Sequence, residues 1–180
     1  MAIYLLRACF RLFAAGLLVS GLCFSTEPAR GTQKPGAATV LVFLDTECPV
    51  SQQYTRPLAT LHRQYAARGV RFQSIFPSAT DDRTAVAAFN RTYALPFAGQ
   101  PDPGRVRVRQ YRATVTPEAV LLDVRGIIVY QGAIDDWFVA LGRHRREPTQ
   151  HYLRDALNAL LDGRPVATTR REPVGCRIQQ

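Results

Sequence analysis

The chain has 180 residues, 47% of them hydrophobic and 21% charged, and a formal charge of +9. That length suits one domain with extensions around a sizeable core, and the composition excludes disordered, collagen-like and coiled-coil classes. Four cysteines are too few for a disulfide-stapled miniprotein, and the basic residues, all arginine except Lys34, are scattered with only short clusters at Arg105–Arg112 and Arg143–Arg146, which is no nucleic-acid footprint.

Residues 1–25 place Arg7 and Arg11 as a positive region ahead of an apolar stretch, Leu12–Phe24, with no acidic residue. This reads as a signal peptide or an N-terminal anchor, and either exports the rest of the chain to a periplasmic or other extracytoplasmic space. Leu22 precedes Cys23 where a lipoprotein signal needs a small residue, so no lipid anchor is expected there. Residues 26–37, rich in Pro, Gly and polar side chains, read as a linker. The exported part then keeps only Cys48 and Cys176, and an oxidising compartment permits that pair to be a disulfide.

The run 38–45 predicts a buried strand. A helix is predicted from Pro49 to Arg68, with Val50, Tyr54, Leu58, Leu61 and Tyr65 on one face and Gly69 ending it. Val70–Phe76 predicts a second strand, and Asp81 or Asp82 caps a helix running to about Tyr93. Residues 95–104 read as a loop, and Arg105–Arg112 reads either as a strand or as a short helix. Glu118–Asp123 and Ile127–Gln131 predict a hairpin, and Thr149–Leu161 a helix with Leu153, Ala156, Leu157, Leu160 and Leu161 on one face. Residues 164–180 form a polar tail carrying Cys176. The order requires parallel pairing in the first half and a hairpin in the second, hence an α/β fold with a central mixed sheet between helix layers over residues 38–163.

Cys48 stands where the first strand gives way to a helix. Unpaired backbone N–H groups and the positive end of the helix dipole favour a thiolate there. Pro49 suits the first helical turn. Thr46 and Ser51 are candidates to donate to the sulfur, whereas Glu47 opposes ionisation by like charge. The alternative is a buried structural thiol.

A strand, then Cys48-Pro49-Val50-Ser51, a helix, and later Thr116-Pro117 before a hairpin resemble the thioredoxin-like superfamily, in its secreted redoxin or peroxiredoxin-like (AhpC/TSA-type) branch. The resemblance implies a three-layer thioredoxin-like fold, Cys48 as attacking cysteine, and Pro117 as a cis-proline facing it. It also implies that Thr116 offers backbone to an extended substrate. The stretch from Gly132 into the helix near 157, followed by Pro173-Val174-Gly175-Cys176, resembles secreted redoxin-domain proteins, some joined to cytochrome-type modules, though no CxxCH haem motif occurs.

The departures shape the expectation. Glu47 stands where thioredoxins carry tryptophan, and Ser51 where they carry the second cysteine. Thr46 is two residues before Cys48, against three in peroxiredoxins, which re-aims its hydroxyl. The Cys-x-x-x-Cys of Sco-type copper chaperones is absent.

Cys176, 128 residues on and in a tail expected to be flexible enough to fold back over the site, is the candidate resolving thiol, closing Cys48–Cys176 after attack on a disulfide or peroxide, with a separate thiol reductant resetting the pair. A permanent staple, or a tail thiol that never meets Cys48, remains the alternative. Asp135, Asp136 and Trp137 read as a capping turn with a half-buried tryptophan, or as a substrate rim. His62, His144 and His151 lack metal-ligand spacing and read as surface residues. The leading reading is an exported thiol–disulfide oxidoreductase or thiol peroxidase with no bound cofactor and no metal. The other is a non-catalytic binding or metal-delivery module for a membrane or haem-bearing partner.

Overall fold

A computed structural model describes residues 37–179; the leader and nearly all of the linker lie outside the described residues. The first strand, β1 (Thr39–Phe43), is apolar on both faces because both are covered. Its Val40 and Val42 face one core, its Leu41 and Phe43 the other. Helix α1 (Pro49–Ala66) buries Tyr54, Leu58 and Tyr65, and its exit turns on Gly69 at φ +84°. Strand β2 (Arg71–Phe76) runs parallel to β1. Asp82 caps α2 (Arg83–Thr92) by accepting from the Ala85 N–H at 2.8 Å.

The expected loop at 95–104 contains a short edge strand, β3 (Gly99–Pro101), parallel to β2. A Cβ on Gly99 would lie 2.6 Å from the Val86 side chain, so the strand reaches its place only with glycine there. The ambiguous segment is helical, α3 (Val106–Tyr111). Asp102 decides this: its carboxylate accepts from the Val106, Arg107 and Val108 N–H groups, donors that a helix leaves unpaired.

A two-residue strand, β4 (Val115–Thr116), leads through a cis Thr116–Pro117 bond into β5 (Glu118–Leu122). Strand β6 (Ile128–Gly132) completes the hairpin, and β7 (Phe138–Ala140) pairs with β8 (Arg143–His144). Helix α4 (Tyr152–Leu161) begins three residues later than expected, because Asp136 takes up the N–H groups of Thr149 and Gln150. The tail is not a loose polar extension: it contributes β9 (Arg170–Arg171), parallel to β6, and β10 (Cys176–Arg177), antiparallel to β4. It holds because these strands use backbone pairing, and because Pro173 between them is buried.

The main sheet has the order β3-β2-β1-β5-β6-β9, with β5 antiparallel to both neighbours. Helices α1, α2 and α4 cover one face through Leu58, Phe89 and Leu157. Val108 and Tyr111 of α3, with Ile178 of the tail, cover the other. This is the expected three-layer α/β fold with a mixed central sheet. No helix among the described residues is long and apolar enough to cross a membrane.

Candidate active site

Cys48 is the N-cap of α1, with extended backbone at φ −77° and ψ 114°. Its carbonyl accepts the first helical hydrogen bond, from the Gln52 N–H at 3.0 Å, and Pro49 occupies the first helical position. The cysteine is 2% exposed. Its sulfur is bonded to Cys176, 128 residues away in sequence, with the Cα atoms 6.0 Å apart. The same sulfur lies 3.1 Å from the Thr116 carbonyl oxygen.

Four residues singled out in the sequence, Cys48, Cys176, Thr116 and Pro117, are thus brought together. The Thr116 edge is occupied, however, and by the chain itself: Cys176 is the register partner of Thr116, and Arg177 of Val115. Two glycines allow the tail to lie this close. A Cβ on Gly175 would stand 2.2 Å from the Thr116 carbonyl oxygen, and one on Gly132, at φ +132°, would overlap the Arg171 carbonyl.

Thr46 and Ser51 do not serve the sulfur. The Thr46 hydroxyl donates to the buried carboxylate of Asp81, and its N–H points to the same group. The Ser51 hydroxyl accepts from the Asp45 N–H at 3.3 Å. Both spend their hydrogen bonds on shaping the loop before α1, a need that the linear sequence hides because Asp81 is 35 residues from Thr46. Burial pushes the Asp81 carboxyl up; the Thr46 hydrogen bonds pull it back, and the negative Asp45 and Glu47 raise it further. The start of α1 therefore stands beside an acidic loop formed by Asp45, Glu47 and Asp81.

Below Cys48 on α1, the Tyr54 hydroxyl donates to Asp135 Oδ1, which also accepts from the Trp137 N–H at 2.9 Å. Burial raises the Tyr54 hydroxyl well above its ordinary value, and the Asp135 charge adds to this. Burial also raises Asp135, against the pull of Tyr54 and Trp137. Tyr54, Pro117, Pro173 and Val174 line a small cavity of about 110 Å³ beside the tail. Trp137 is half-buried and Asp136 caps the turn before α4, so the 135–137 segment is a capping turn.

Glu118 is a site residue that sequence reasoning missed. Fully buried next to Pro117, it accepts from the Thr114 N–H and hydroxyl through Oε2 and from Gln131 Nε2 through Oε1. A charged residue opening an apolar strand was the signal that could have found it. His62, expected at the surface, is half-buried and packs against Phe72 and Phe97. His144 lies exposed on β8, and His151 is the N-cap of α4. No group of three His, Cys, Asp or Glu side chains among the described residues is arranged to hold a metal ion.

The AhpC/TSA family pattern matches residues 26–131, more than half of the chain and including Cys48 and Pro117. The chain belongs to the AhpC/TSA family. No curated protein matches it closely enough to count. Among solved structures, an uncharacterized conserved protein from Geobacillus kaustophilus is 26% identical, with a TM-score of 0.70, covering 81% of this chain and 79% of that one. A hypothetical protein from Sinorhizobium meliloti 1021 is 26% identical, with a TM-score of 0.69, covering 80% of each chain. DsbF of MTB, solved in mixed oxidized and reduced forms, shares the fold at 18% identity and a TM-score of 0.52, covering 69% of this chain and 81% of that one. The fold of this AhpC/TSA chain is thioredoxin-like.

Proposed function

We propose that this AhpC/TSA protein is an exported thiol–disulfide oxidoreductase, with Cys48 as nucleophile and Cys176 as resolving thiol. The observation that carries the reading is Cys48 at the first turn of α1, joined to a cysteine paired with the Thr116 edge. In the reduced protein the helix start favours the Cys48 thiolate. That thiolate attacks one sulfur of a substrate disulfide, forms a mixed disulfide and releases the other sulfur as a thiolate, which takes up a proton. The Cys176 thiolate then attacks Cys48 Sγ, forms Cys48–Cys176 and releases the second substrate thiol. The substrate gains two electrons and the cysteine pair loses two; an external dithiol returns them. The chemistry lies in sulfur and calls on no organic cofactor or metal. Thr116 and Pro117 form the edge on which an extended substrate replaces the tail. The apolar, arginine-flanked leader supports export.

A peroxide is the competing oxidant within this family. The engagement of the Thr46 hydroxyl by Asp81 favours disulfides, because that hydroxyl is then not offered to a peroxide oxygen.

The full chain is to be equilibrated in graded thiol/disulfide buffers, with free thiols mass-tagged. A Cys48–Cys176 midpoint above about −300 mV marks a working pair, since structural disulfides of secreted proteins lie below that. Turnover of a model disulfide should exceed that of hydrogen peroxide and be lost in Cys48→Ser. A bridge that resists reduction would instead make the pair a staple and the protein a binding module. Full turnover in Cys176→Ser would remove the resolving role.

A further inference from the structure

Away from the cysteines, a groove of about 480 Å³ opens between the exposed edge of α1 and the segment from Ile134 to Arg154. That volume falls within the range of small-molecule sites. Its walls are apolar: Pro57 and Leu61 come from α1, and Ile134, Trp137 and Pro148 from the opposite side. Its rim is cationic. Arg56 from α1, Arg146 from the loop after β8 and Arg154 from α4 converge on it, with His151 beside them.

These arginines are largely uncommitted. Among the described residues, Arg56 and Arg146 make no ion pair, and Arg154 has only Asp155, at 3.8 Å with both side chains exposed. Such an exposed pair holds an arginine weakly. The single carboxylate lining the groove, Asp135, has Oδ1 occupied by the Tyr54 hydroxyl and the Trp137 N–H.

The groove is also preformed. Trp137 is fixed at both ends, its backbone N–H to Asp135 and its indole N–H to the Arg145 carbonyl at 3.0 Å. Asp136 pairs with Arg145 at 3.1 Å and accepts from the Thr149 and Gln150 N–H groups, so the loop presenting Arg146 and Pro148 is tied at two points. A ligand would meet a shaped wall rather than a loop that must first be ordered.

We propose that this groove is a binding site for small organic carboxylates with an apolar body. The apolar walls and the Trp137 ring take the body, and the arginine forks take the carboxylate, for which their planar donors are suited. The site is independent of the cysteine chemistry.

Trp137 is the chain's single tryptophan, so its fluorescence reports on this groove. The full chain is to be titrated, with excitation at the red edge of tryptophan absorption, with 4-phenylbutyrate, and in parallel with 4-phenylbutanol and 4-phenylbutylamine. The carboxylate should give a saturable change and bind about tenfold tighter than the alcohol, with the amine weaker still. Arg56→Gln/Arg146→Gln should weaken the carboxylate about tenfold, leave the alcohol unchanged and leave the thermal melt unchanged, since both side chains are exposed. The proposal is overturned if the alcohol or amine binds as tightly as the carboxylate. It is equally overturned if no saturable change appears up to about 10 mM carboxylate, or if the double variant binds it undiminished.

Discussion

Cys176 faces Thr116 as its antiparallel partner while its sulfur is joined to Cys48. The oxidised protein therefore fills the Thr116 edge, the proposed substrate edge, with its own tail. Once the bridge is reduced, β10 is held by a two-residue pairing and by the Ile178 N–H, which donates to the Thr114 carbonyl at 3.0 Å. Pairing that short is marginal in water. Hydrogen exchange at residues 176–178 should accelerate on reduction, with smaller changes along β5. Unchanged protection there would mean that packing, not the bridge, seats the tail.

Gly175→Ala places a Cβ against the Thr116 carbonyl, so tail or loop must shift in the bridged state. Overpacking of this kind costs about 1–3 kcal/mol. Because the strain falls on the oxidised form, the pair should become easier to reduce, by roughly 20–60 mV, in thiol/disulfide buffers. A potential equal to that of the wild type would show that the tail adjusts without strain.

Glu118→Gln keeps shape and volume but replaces one acceptor by a donor. If its amide oxygen keeps Thr114, its NH2 meets the Gln131 NH2, which is also held by the Tyr111 carbonyl at 2.8 Å. A buried donor without an acceptor costs about 1–3 kcal/mol. Urea denaturation should show that loss; a loss under about 0.5 kcal/mol would mean that Gln131 can turn away.

Asp135 gives a pH signature. Burial holds its folded carboxyl above the ordinary value of 3.8, so the folded chain binds this proton more tightly than the unfolded chain. The contribution to stability is present below 3.8 and is lost as pH rises through the folded value. Asp135→Asn keeps an acceptor for Tyr54 and Trp137 but cannot titrate. Relative to this variant, the wild type should lose stability as pH rises above about 4, read as urea midpoints. Parallel profiles would show that Asp135 ionises without penalty.

Short strand-like runs made β1 and β2 legible, and one-face spacing made α1 and α4 legible, since their apolar side chains must face a core. Cys48 was legible from its place between a strand and a helix, and Pro117 through the family resemblance. The elements that escaped are those built from backbone alone. Residues 99–101 and 170–171 carry no apolar pattern, yet they pair with exposed edges of a sheet whose position only the fold defines. Thr46 sits beside the right cysteine in sequence but serves a different partner, because Asp81 arrives from the far end of β2. Glu118 reads as part of a strand, and its acceptor role needs Gln131 from the neighbouring strand to become visible.

The parallel pairing of Arg170 and Arg171 with β6 fixes the chain just ahead of the cysteine. Only residues 172–175 separate that anchor from Cys176, a leash of at most about 18 Å when fully extended. A freed Cys176 thiol cannot diffuse away; it stays at an effective concentration in the millimolar range or above near Cys48. Any foreign sulfur attached to Cys48 is thus held next to a thiol that meets it far more often than a dilute external thiol does. If the proposed exchange chemistry holds, mixed disulfides on Cys48 should be too short-lived to isolate from the native chain, and Cys176→Ser is the variant with which to capture them.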